Sequence, residues 1–160
     1  MTAAETAGFL RSRIPMRDQL VLDDLYRYAV LSENGKVFYG YPEETIRLIL
    51  AHRQSKGRLV YHRNAEGEVD GMVMWHRFSP GWDLEDVQNW REDDEQGSEI
   101  YIAGTIADSP QVRRWGILKM IEKEPDVIWC RKWAAREKGG RIESREISNR
   151  ALARLMKQNG

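Results

Sequence analysis

Apolar residues recur at three- and four-residue spacing between Asp18 and Ser32, at Leu22, Leu25, Tyr26 and Ala29, and this period predicts an amphipathic helix. Asn34-Gly35 stops it, since both residues tolerate the left-handed turn. A second helix is expected from Pro42, with Glu43 and Glu44 in its first turn and Ile46, Ile49 and Leu50 as its stripe; Gly57 ends it. The period then shortens. Arg58–Arg63 and Val69–Phe78 read as strands, and the short Gly67-bearing connection makes them an antiparallel hairpin. Glu99–Ala107 reads as a third strand, and Gln111–Lys123, entered through Asp108-Ser109-Pro110, as a helix with Val112, Trp115, Leu118 and Ile121 inward. Asp126–Trp133 is a fourth strand, Arg141–Ile147 its hairpin partner, and Ser148 caps a last helix over Asn149–Lys157. A strand, a helix and a strand in that order imply a right-handed parallel crossover between 99 and 133. Leu25, Ile49, Val60, Val73, Ile102, Leu118 and Ile128 are the expected core.

Composition narrows the function classes. Twenty-five basic and 25 acidic side chains cancel over 160 residues, which argues against a basic nucleic-acid coat and against disorder. A single cysteine, Cys130, excludes an internal disulfide framework and a cysteine-rich zinc site. No apolar run approaches the roughly 20 residues of a membrane span, and the small, polar start lacks a signal-peptide core, so a cytoplasmic location is expected. The first 16 residues read as a loosely ordered arm before one domain over 17–160. Charge is unevenly placed: residues 1–110 carry 12 basic and 19 acidic side chains, residues 111–160 carry 13 and 6. Complementary halves would explain this, as would a basic face for an anionic ligand or partner.

The element order of two helices, hairpin, strand, helix, strand, hairpin strand and short helix resembles that of the GNAT acyltransferase superfamily. That resemblance implies an α/β (α+β) fold: a mixed, mostly antiparallel sheet with helices on both faces. It also implies an acyl-CoA or acyl-carrier-protein donor, with no tightly bound cofactor. The family's phosphate-loop motif is approached by Arg113-Arg114-Trp115-Gly116-Ile117-Leu118, where Arg113 and Gly116 fit and Leu118 does not. Ile106, Ala107, Asp108, Ser109, Arg113, Arg114 and Gly116 are therefore the implied donor-binding residues. Glu68-Val-Asp-Gly-Met-Val-Met-Trp-His76 and Glu99-Ile-Tyr-Ile-Ala-Gly-Thr-Ile-Ala look like strands of the toxin-activating lysine acyltransferases. That branch's His has no counterpart in Lys36–Tyr41, nor its Asp near Ala103 and Gly104. The sequence is similar, too, to small phage GNAT-like proteins that serve as virion or assembly components without catalysis. That alternative implies host cytoplasm or virion.

Three side chains are candidates for catalysis. His76, near a strand end, has the ordinary pKa of a general base. Glu99 and Tyr101 share one strand face. The resemblance implies a carboxylate there that deprotonates an attacking amine, and a Tyr or Cys, here Tyr101 or Cys130, that protonates the departing thiolate. His52 and His62 lie in no metal-binding spacing, and no metal is expected. Trp129 and Trp133 around Arg131-Lys132 read as packed rings beside a rim arginine rather than as base-stacking groups. Residues 79–98, with Trp82, Trp90 and seven acids, are long for a connection and are expected to contact a partner protein or a second copy of this chain.

Overall fold

A computed structural model describes residues 2, 16–32, 38, 41–79, 81–82, 93–127, 129–135 and 142–158; for 16–17, 129–135, 142–147 and 149 it describes the backbone only. The N-terminal arm, the Asn34-Gly35 turn, Trp90 with its neighbours, Ile128 and the 136–141 turn lie outside these residues, as does the side chain of Cys130.

Helix α1 (Met16–Leu31) buries Leu25 and Ala29, as its period requires. Helix α2 (Glu43–Ser55) starts one residue later than expected: Pro42 is the extended cap residue and the helix opens on the two glutamates. Its buried face is Ile46, Leu48, Ile49, Leu50 and Arg53. Gly57, at φ 69°, turns the chain into strand β1 (Leu59–Arg63). Asn64 accepts from the Glu66 and Glu68 N–H groups and closes the turn to β2 (Val69–Phe78), which pairs antiparallel with β1.

Strand β3 (Glu99–Ala107) pairs antiparallel with β2 from Gly71↔Ala107 to Phe78↔Glu99, with a register shift between Met74 and Trp75. Helix α3 (Pro110–Lys123) crosses over to β4 (Trp129–Ala135), and β3 and β4 are parallel neighbours, as the crossover length demands. β4 begins later than expected because Asp126 and Val127 close a turn on Glu124. β5 (Ile142–Ser148) returns antiparallel to β4, and Ser148 Oγ accepts from Ala151 N–H to cap α4 (Asn149–Gln158). The fold is thus mixed α+β, with sheet order β1-β2-β3-β4-β5.

β2 is buried without a break from Gly71 to Phe78, so it lacks the alternation of a half-exposed strand. Met72 and Met74 join Leu25, Ala29, Ile46, Ile49, Leu50, Leu59 and Ile106 in one apolar cluster. Val73 and Trp75 join Val60, Ile100, Ile102, Ile117, Met120, Val127 and Leu152 in another. Leu118 corrects the expected core: it is half-buried, and α3 instead presents Gly116, Ile117 and Met120. A Cβ on Gly116 would lie 2.6 Å from Val73 Cγ2, so the helix lies close against the sheet there.

Candidate functional site

On β2 and β3, His76 and Tyr101 are register partners, and their ring centroids lie 4.9 Å apart. Arg53 reaches them from α2. Its Nη1 donates to Trp75 O at 2.8 Å and contacts His76 Nδ1 at 2.8 Å. A guanidinium can only donate, so Nδ1 is the acceptor and the neutral ring carries its proton on Nε2. In that state His76, which is fully buried, can give a hydrogen bond but has no lone pair left with which to act as a base. Burial pushes the Arg53 guanidinium down to about 10, against the pull of Asp93 and Tyr101. Burial likewise pushes the Tyr101 hydroxyl up, opposed by Arg53, which keeps it a proton donor. Glu99 is buried at the start of β3, not a solvated strand end.

Across the end of β2 runs an ionic knot that the sequence did not announce. Glu124, just past α3, is 3% exposed; it accepts from Arg58, from Trp75 Nε1 at 3.0 Å and from Arg77 at 3.3 Å. The Nε and Nη2 of Arg58 hold both oxygens of Asp93, at 3.0 and 3.3 Å. Arg77 also donates to Asp126 at 2.7 Å and, through Nε and Nη2, to Gly97 O. Burial would raise the Asp93 carboxyl, but the Arg58 hydrogen bond and the Arg77 backbone N–H outweigh it and hold it below the usual range. A Cβ on Gly97 would come within 2.6 Å of Phe78 O, so glycine lets residues 93–97 lie flat on the strand end. Asp94 bonds Ser79 Oγ at 2.6 Å. Two acids expected to face a partner are therefore spent within the chain, and the Trp82 ring sits 6.5 Å from that of Phe78.

The expected donor-binding residues fall at the other end of β3. Ile106 is fully buried and Ala107 half-buried. The Asp108 N–H is spent on Asp70 O, and its carboxylate accepts from Tyr28 OH at 2.9 Å. Ser109 Oγ accepts from Val112 N–H at 3.2 Å as the α3 cap. Arg113 is exposed and Arg114 half-buried on α3, while Gly116 lies inside that helix against Val73. Beside Asp108 opens a cleft of about 640 Å³, lined among others by Asp24, Arg27, Tyr28, Arg63 and Glu68. Burial, then the Asp108 hydrogen bond, pushes the Tyr28 hydroxyl well up. The structure thus brings His76, Tyr101 and Glu99 to one end of the β2–β3 pair and Ile106 to Ser109 to the other, while Arg113, Arg114 and Gly116 ride on α3.

Sequence reasoning missed Arg53, Arg58, Asp93 and Glu124. Arg53 did carry a signal: with Ile46, Ile49 and Leu50 it completes the i, i+3, i+4, i+7 stripe of α2, where a charge is out of place. Among the described residues no three His, Cys, Asp or Glu side chains converge as a metal site would need, and no helix is long and apolar enough to cross a membrane. No protein-family model matches the chain, and no curated protein is significantly similar to it.

Proposed function

We propose that the chain is a GNAT-like domain that holds an acyl thioester, from acyl-CoA or acyl-carrier protein, where β3 and β4 part. The observation that carries this reading is the parallel register. Among the described residues β3 and β4 pair only at Glu99–Tyr101 with Trp129–Arg131, yet β3 runs on to Ala107 and β4 to Ala135. Parallel strands that meet at one end and part toward the other leave unpaired backbone N–H and C=O groups along the opening, which a thioester's amide-bearing arm can satisfy. Tyr101 stands at the last paired position, its hydroxyl pushed up by burial, and in this reading it is the group that protonates a departing thiolate. The two apolar clusters, one with α1 and α2 and one with α3 and α4, support helices on both faces of the sheet.

The test is thermal unfolding with coenzyme A, acetyl-coenzyme A and an acylated carrier protein. A ligand bound to the folded state alone raises the melting temperature with its saturation. Replacing Arg113 and Arg114 with Ala should weaken binding more than about tenfold, or ~1.4 kcal/mol. The second reading is a non-catalytic GNAT-like structural or assembly protein, as in a phage virion. Asp108 favours it, because a carboxylate at the α3 N-terminus repels a pyrophosphate from the dipole that would attract it. No shift with any donor would select this second reading.

A further inference from the structure

Three arginines gather around the β2 end, Arg53 and Arg77 buried and Arg58 half-buried, and the last two are matched to carboxylates. The Arg58 Nε–Nη2 edge holds Asp93 with both oxygens while Nη1 takes Glu124. Arg77 has Glu124, Asp126 and the Gly97 carbonyl. Arg53 is deeper than either, at 2% exposed, yet no carboxylate pairs with it among the described residues. Its bonds to Trp75 O and His76 both leave from Nη1. Nε is buried with no hydrogen-bond partner among the described residues, so the nitrogen with which Arg58 holds one Asp93 oxygen is unused on Arg53. A buried guanidinium without a counter-ion costs several kcal/mol unless something pairs with it. Trp75 O and His76 fix its orientation, and Asp93, the carboxylate that acts on it from a distance, is already held by Arg58, which leaves the guanidinium preorganised for a ligand. Tyr101, half-buried with its ring against His76, is the member of this cluster nearest to solvent.

We propose that the Nε–Nη2 edge of Arg53 is a binding point for the carboxylate of a small ligand. The planar fork matches two carboxylate oxygens in parallel N–H···O bonds, as Asp93 on Arg58 illustrates in the same molecule. This site does not depend on the acyl-donor reading.

The test is thermal unfolding of the full chain in sodium succinate, against sodium chloride of matched ionic strength, for the parent, Arg53→Gln and Arg53→Lys. Succinate should raise the parent's melting temperature saturably, leave Arg53→Gln unmoved, and bind Arg53→Lys at least about tenfold more weakly, since an ammonium lacks the fork. Without ligand, Arg53→Gln should melt no lower than the parent, because it removes an unmatched buried charge and its amide can still donate to Trp75 O. No succinate effect beyond salt, an equal effect on Arg53→Gln, or a marked loss of stability in that variant would overturn the site. If Arg53→Gln does not fold, parent-like affinity in Arg53→Lys does the same. Phosphate, which is tetrahedral, should act more weakly; an effect equal to succinate would overturn the carboxylate assignment. Coenzyme A, run alongside, reports on the acyl-donor reading alone, so either can fail without the other.

Discussion

Glu124 is the residue on which most of the polar interior depends. It answers two arginines and one indole N–H at once, from a position 3% exposed. Glu124→Ala would leave the Trp75 indole N–H without its acceptor and would take one carboxylate from each of Arg58 and Arg77, which keep Asp93 and Asp126. A broken buried pair typically costs about 3–5 kcal/mol, and urea denaturation should read a loss of that order. A loss within about 0.5 kcal/mol would mean that the arginines are satisfied by other groups. Gly116 offers a sharper test, because two effects oppose. Alanine in a helix gains about 1 kcal/mol over glycine, but its Cβ would meet a stiff, β-branched neighbour at 2.6 Å. Overpacking of that kind costs about 1–3 kcal/mol, so Gly116→Ala should destabilise the parent. In a Val73→Ala background, where the clash is gone, the same change should stabilise. Equal effects in both backgrounds would place the close approach elsewhere.

At the scale of elements, residues 93–97, the end of β2 and the turn after α3 are held together by charge, and this makes their docking depend on pH. The Asp93 carboxyl is lower in the folded chain than the ordinary value of about 3.9. Its contribution is therefore full above that ordinary value and is lost as pH falls through the folded one. Stability should decline with acid below about pH 4, and Asp93→Asn, already less stable at neutral pH, should decline less steeply. Denaturant titrations at several pH values check this, and parallel slopes would remove Asp93 from the linkage. These elements also show what the sequence could and could not convey. Periodicity found both N-terminal helices, the first hairpin, the crossover and the Ser148 cap, because each rests on neighbours a few residues apart. It turned α3 slightly, choosing Leu118 over Ile117 and Met120, because the approach at Gly116 rotates the buried face toward a residue without a side chain. The ionic knot was illegible for a plainer reason. Its members lie in four segments, and each charge taken alone reads as solvated surface. Arg77 stands apart only once the structure shows the run of β2 from Gly71 to Phe78 to be buried throughout.

For the whole molecule, the division into an acidic first part and a basic remainder gives way to pairing in the opposite sense. Arg58 and Arg77 come from the acid-rich part, and Glu124 and Asp126 from the base-rich one. Their pairing adds to the two apolar clusters, which share β2 because its side chains alternate between them. A strand common to both clusters cannot leave one without leaving the other, so the described fold should unfold as one cooperative unit. Leu25→Ala cuts only the cluster with α1 and α2, and Ile102→Ala only the other. Each should cost about 2–5 kcal/mol, and in each variant the loss of helix, followed by circular dichroism, should coincide with the change in tryptophan fluorescence. The fluorescence sums six tryptophans, Trp75 of the second cluster among them, and the ellipticity sums helices from both clusters, so coincidence of the two reports on the fold as a whole. If Leu25→Ala splits them, with helix lost at lower urea than the fluorescence change, α1 and α2 form a separately melting layer and β2 does not couple the clusters. A loss below about 1 kcal/mol for Ile102→Ala would mean that the second face of β3 carries little of the packing its burial implies.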